Sequence, residues 1–92
     1  MREFIIDCSE LNDEADFWAA YLSTTQPKGA QLFGRNCDAL WDALSAGGPG
    51  WPGECMLRFV NTDVLRRWQD GNFYRTLQKI ALDSKTIAIH MD

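Results

Sequence analysis

Two aspartates four residues apart, Asp38 and Asp42, are the residues best placed to do chemistry in this chain. They fall in the run Cys37-Asp38-Ala39-Leu40-Trp41-Asp42-Ala43-Leu44, whose apolar members recur at helical spacing, so both carboxylates share one helix face. Like charges at that spacing weaken a helix by about 0.2–0.5 kcal/mol. Asp38 is compensated, because a first-turn carboxylate is favoured by the helix dipole. Asp42 lies beyond that turn, where aspartate is a poor helix former. Two carboxylates on a rigid scaffold, beside an aromatic residue and glycine-bearing loops, could fill a pocket that normally holds phosphates. Charge-assisted hydrogen bonds to Arg, Lys or His would then supply the affinity.

Other chemistries find little support. Nucleophilic catalysis would have to use Asp7, Cys8 and His90, from opposite ends of the chain. Neither the thiol nor the imidazole has a motif around it, and both lie in or beside runs that should be buried, so no enzyme is expected. Cys8, Cys37 and Cys55 have no zinc spacing, and a single histidine adds too little for a metal site; no cofactor is implied. The odd cysteine count, with Arg2, Glu3, Asp7 and Glu10 where a signal peptide would be apolar, reads as reduced thiols in a cytoplasmic protein that its own N-terminus does not export. A net charge of −4 argues against direct nucleic-acid binding, which needs clustered Lys and Arg, and favours a basic partner. No apolar run is long enough to cross a membrane. At 92 residues, 46% apolar and 24% charged, the chain fits one compact domain over 1–92.

The elements that would position the two aspartates follow from periodicity. Phe4-Ile5-Ile6 reads as a buried strand. The acids Glu10, Asp13, Glu14 and Asp16 suit the first turn of a helix whose face carries Phe17, Trp18, Tyr21 and Leu22. Residues 23–33, with Pro27 and Gly29, read as a loop. Asn36 is a good N-cap for the helix through Leu44, and Cys37, Leu40, Trp41 and Leu44 form its core-facing stripe. Residues 47–53 hold four glycines and two prolines and must be a loop. Residues 55–60 read as a strand of mixed exposure. A short helix capped by Asn61 or Thr62 carries Val64, Leu65 and Trp68 and stops at Asp70-Gly71; a last helix carries Phe73, Leu77, Ile80 and Ala81. Residues 86–91 close the chain as an apolar strand. Strands separated by helices need crossovers, so the expected architecture is α/β: a single layer of three parallel strands packed with about four helices.

The segment Phe33-Gly34-Arg35-Asn36-Cys37-Asp38-Ala39-Leu40-Trp41-Asp42-Ala43-Leu44 resembles the signature of the barstar family, intracellular inhibitors of secreted ribonucleases. The family's pattern is aromatic-Gly-x-Asn-x-Asp-Ala-Leu-Trp-Asp-Ala-Leu, and every fixed position is satisfied. The resemblance implies an antitoxin or immunity protein whose acidic helix mimics RNA phosphates and occludes a cognate ribonuclease or nuclease toxin, as a monomer in a 1:1 complex. It implies that Asp42 plugs the phosphate-binding site, that Asp38 is a second acidic contact, and that Gly34 and Asn36 present the helix, with Arg35 between them a further partner-binding residue. Trp41 is either core or contact. Leu32 stands where the family has an interface tyrosine. The family's acidic contact on the last helix falls at Lys79 or Gln78, where a lysine would repel a basic rim. The loop around Trp51 is longer than the family's, and Trp51 is either an exposed hot spot or packed on the sheet edge. These departures point to a different toxin as partner. An interaction module with the same fold but no inhibitory role, or immunity against a toxin that is not a ribonuclease, are the alternatives.

Overall fold

The computed structural model describes residues 2–92. Strand β1 (Arg2–Asp7) leads into helix α1 (Glu14–Thr25), a 3-10 turn (Ala30–Leu32) and helix α2 (Cys37–Ala46). Strand β2 (Cys55–Val60), a 3-10 segment (Thr62–Gly71), helix α3 (Asn72–Asp83) and strand β3 (Ala88–Met91) complete the chain. The three strands are parallel in the order β1-β2-β3, with Arg2 opposite Cys55 and Met56 opposite Ala88. The α/β architecture expected from the sequence is therefore present, with three α-helices rather than about four.

The missing helix is the 3-10 segment. Its N-cap position, Asn61, takes a left-handed conformation and makes no side-chain cap; its amide instead donates to the Asp7 carboxylate of β1 at 2.9 Å. With the cap diverted, the segment stays tight and irregular, and it breaks at Trp68, Gln69 and Asp70 before Gly71. The first loop is also shorter than expected. Helix α1 continues through Thr25, whose buried hydroxyl donates to the Tyr21 carbonyl at 2.8 Å.

Because strand order follows chain order, both crossovers move the same way across the sheet and their helices cover the same face. Ile6, Cys55, Leu57 and Phe59 point into that layer and are buried. Ile5 points the other way and is 55% exposed, so the first strand is half-buried rather than buried throughout. His90 likewise lies on the open face, exposed, where burial was expected. Between α1 and the sheet an aromatic cluster forms, with Phe17 at 4.8 Å from Trp18, 5.0 Å from Phe73 and 5.3 Å from Phe59.

The acids at the start of α1 are held within the fold. Asp13 caps the Asp16 amide, Asp16 accepts from the Asn12 amide, and Glu14 accepts from both the Trp18 indole and Gln69.

Candidate functional site

The surface that presents Asp38 and Asp42 is built outward from one ring. Hydrogen bonds from Leu32 to Gly29 and from Phe33 to Ala30 close the 3-10 turn. The turn throws Leu32 outward, 71% exposed, and Phe33 inward against Trp18 and Tyr21 at centroid distances of 5.5 and 5.7 Å. Gly50 of the second loop lies against the same ring: a Cβ there would sit 2.4 Å from a ring carbon of Phe33. The Tyr21 hydroxyl donates to the Gly50 carbonyl at 2.8 Å, and the Gly50 amide donates to the Lys28 carbonyl. The loops before and after α2 are thereby fastened to each other and to the core.

From Phe33 the chain enters α2 through three constrained residues. A Cβ on Gly34 would stand 3.1 Å from the Ala39 methyl, so the entry is close-packed. Arg35 adopts φ +54°, uncommon outside glycine, and its side chain is exposed. Asn36 is the N-cap expected from the sequence: its side-chain oxygen accepts from the Ala39 amide at 2.7 Å, and its NH2 donates to the Gly34 carbonyl at 3.3 Å.

Helix α2 buries Leu40, Ala43 and Leu44. The expected stripe of Cys37, Leu40, Trp41 and Leu44 is therefore rotated: Cys37 is half-buried and Trp41 is 39% exposed. Ala43 takes a place in the core, fully buried, and the indole of Trp41 stands at the rim. Asp38 and Asp42 are both exposed. The ion pairs among the described residues are Arg58–Glu3, Arg58–Asp92, Arg66–Asp63 and Lys79–Asp83, and neither aspartate takes part.

Trp41 divides two clefts between α2 and the end of α3. One, of about 340 Å³, is lined by Asp38, Trp41, Lys79, Ile80 and Asp83 among others; the other, of about 260 Å³, by Leu44, Asp83, Lys85 and Thr86 among others. The Thr86 hydroxyl donates to the Leu44 carbonyl at 2.8 Å and ties the segment before β3 to α2. Of the two positions on α3 left open by the sequence, Lys79 lines the cleft beside Asp38 and Gln78 does not. Asp83 was missed. Its signals were its spacing of four from Lys79 and its place at a helix C-terminus, where the dipole disfavours a carboxylate.

Trp51 is half-buried against the core and lies beyond the C-terminal end of α2, in a separate cleft with Arg2 and Lys28. Structure thus brings together Leu32, Gly34, Arg35, Asn36, Asp38, Trp41 and Asp42 along one helix and its entry turn, and leaves Trp51 apart from the α2–α3 clefts.

The Cys37 and Cys8 thiols are both shifted toward their protonated form. Burial, with the charges of Glu14 and Asp38 nearby, pushes the Cys37 thiol up to about 12. Burial with the Asp7 charge does the same to Cys8, also to about 12. Strand β2 separates β1 from β3, so Cys8 and His90 are not brought together. Among the described residues no group of three or more His, Cys, Asp or Glu could hold a metal ion. What the surface offers is two unengaged carboxylates on a rigid helix, an aromatic rim and a stiff entry turn, which is equipment for binding a cationic protein surface. The family model described as Barstar (barnase inhibitor) matches residues 1–88. Comparison with curated proteins gives no match.

Proposed function

Since the chain belongs to the barstar family, we propose that it is an intracellular inhibitor or immunity protein that covers the active site of a cognate bacterial ribonuclease, without performing chemistry itself. One observation carries this reading. Asp38 and Asp42 stand exposed one turn apart on α2, outside every side-chain hydrogen bond and ion pair among the described residues; Glu10, Glu54 and Asp70 are also exposed and unpaired but stand singly outside the α-helices, whereas Asp7, Asp13, Glu14 and Asp16 are engaged by hydrogen bonds of the chain itself. A ribonuclease active site binds a polyanion and is basic, so Asp42, with Asp38 one turn earlier, would occupy the places of substrate phosphates. Exclusion of water from the joined surfaces would make those charge-assisted bonds strong, and opposite charge would speed encounter. The cytoplasm is the compartment in which such a protein would protect its own cell.

The test is a ribonuclease protection assay. The purified protein and its Asp42→Ala variant are titrated into a panel of microbial guanyl-type ribonucleases and antibacterial nuclease toxin domains. The expected result is stoichiometric inhibition of at least one member, weakened in the variant by about 2–5 kcal/mol, mostly through faster dissociation. Inhibition that survives Asp42→Ala would remove the helix-plug mechanism, and silence across the panel would count against the inhibitor reading.

A further inference from the structure

The two sides of the α2–α3 cleft carry different charge. In the cleft that Asp38 lines, the α3 side carries Lys79 and Asp83, and Lys85 lines the neighbouring cleft beyond Trp41. Lys79 reaches Asp83 at 3.8 Å, but both side chains are open to solvent, at 79% and 52% exposure, so this is a loose surface pair. Between the charges the cleft is apolar, with Trp41 and Ile80 in its lining.

The consequence depends on the inhibitor reading above. A partner that closes over Asp38 closes over Lys79 as well, because both line one cleft. Covering that cleft expels water from an apolar floor, and the Lys79 charge then needs a fixed counter-charge that Asp83, at the edge of ion-pair range, supplies only in part. A cation placed there would meet Lys79 as a like charge in poor solvent.

We propose that Lys79 is a selectivity residue. It admits a nuclease whose rim sets a carboxylate over the α2–α3 cleft, beside the basic groups that meet Asp38 and Asp42, and it rejects one whose rim is basic throughout. The chemistry that recognises this surface is therefore bipolar: cations over α2 and an acid over α3.

Two probes test this. Barnase, the nuclease named in the description of the matching family, serves as the first probe. Fluorogenic RNA cleavage by barnase is measured against the wild-type chain, Lys79→Met and Lys79→Glu. The expected result is at least a tenfold gain in inhibition for Lys79→Glu, a smaller gain for Lys79→Met, and shrinkage of both with salt. A Lys79→Glu chain no better than wild type, whether both inhibit or neither does, overturns the proposal. The second probe is any ribonuclease that the wild-type chain inhibits stoichiometrically, against which Lys79→Glu should lose at least a hundredfold. Equal or tighter inhibition there also overturns it. Thermal melts of the variants, expected to match wild type at so exposed a position, exclude misfolding. Asp42→Ala is run against the second probe, where wild type inhibits: retained inhibition there counts against the helix plug, whereas the Lys79 variants report on the selectivity role, so the two ideas fail separately.

Discussion

Gly50→Ala should damage this protein more than any loop substitution of comparable size. Gly50 has φ +94°, so an alanine there carries a backbone penalty of about 1–2 kcal/mol. Its Cβ would also stand 2.4, 2.9 and 3.1 Å from three carbons of the Phe33 ring, far inside contact distance. The ring cannot step back freely, since it is packed against Trp18 and Tyr21. Overpacking of this kind adds about 1–3 kcal/mol, for a total of about 2–5 kcal/mol. Gly53→Ala is the control: φ there is +83°, but a Cβ would meet nothing within 4 Å, so only the backbone penalty applies. For a domain of this size 1 kcal/mol moves the melting temperature by about 4–8 °C. Gly50→Ala should therefore melt at least about 8 °C below wild type and at least about 4 °C below Gly53→Ala, followed by circular dichroism. Equal melting of the two variants would refute the claim that Phe33 is clamped by Gly50.

Three further outcomes are expected. Arg35→Gly should relieve the left-handed conformation at φ +54° and, after the entropy cost of glycine, raise stability by about 0.5–1 kcal/mol in urea unfolding. All three thiols should resist iodoacetamide in the native protein at pH 8, because Cys8 and Cys37 are pushed up to about 12 and Cys55 is raised by its burial, leaving about one thiolate in 10⁴ at the first two; modification should follow only on unfolding, as read by mass spectrometry. The Asp7 carboxyl is held below its ordinary value of 3.8, first by the Ser9 amide and then by the Asn61 side chain. A lowered pKa contributes stability that is present above 3.8 and is lost as pH falls through the folded value, so acid should weaken the β1–Asn61 link; Asn61→Gly, which keeps the positive φ, should move the Asp7 titration upward in a carboxyl NMR experiment.

The parts legible in the sequence were those fixed by local rules. Asn36 as N-cap, the loop over 47–53 and the mixed exposure of β2 depend on residue type and near neighbours, and the parallel pairing follows from the helices between the strands. The failures share a different cause. Whether Trp41 or Ala43 faces the core depends on how close α2 lies to the rest of the molecule, and helical spacing is satisfied by either stripe. Ile5 and His90 were misplaced because an apolar run does not tell whether a sheet is covered on one face or two. Asn61 stays a candidate cap beside Thr62 in the sequence because its competing partner, Asp7, is far away in the chain. Lys79 and Asp83 could not be set beside Asp38 until α3 was docked against α2.

Several costly choices share one surface, and that placement is itself an argument about function. Arg35 holds a left-handed backbone, Asp38 and Asp42 repel one another along α2, Leu32 and Trp41 leave apolar surface in water, and Asp83 puts an acid at a helix C-terminus. Each choice lowers the stability of the free protein by a few tenths to about 2 kcal/mol. Simple replacements would remove every one of these costs, yet they recur on the entry turn, the outer face of α2 and the end of α3. Away from this surface, at the start of α1, comparable acids are used to cap and to bond. A surface that accepts such costs together, on elements clamped to the core by Phe33 and Gly50, is arranged for contacts that form only when a partner arrives.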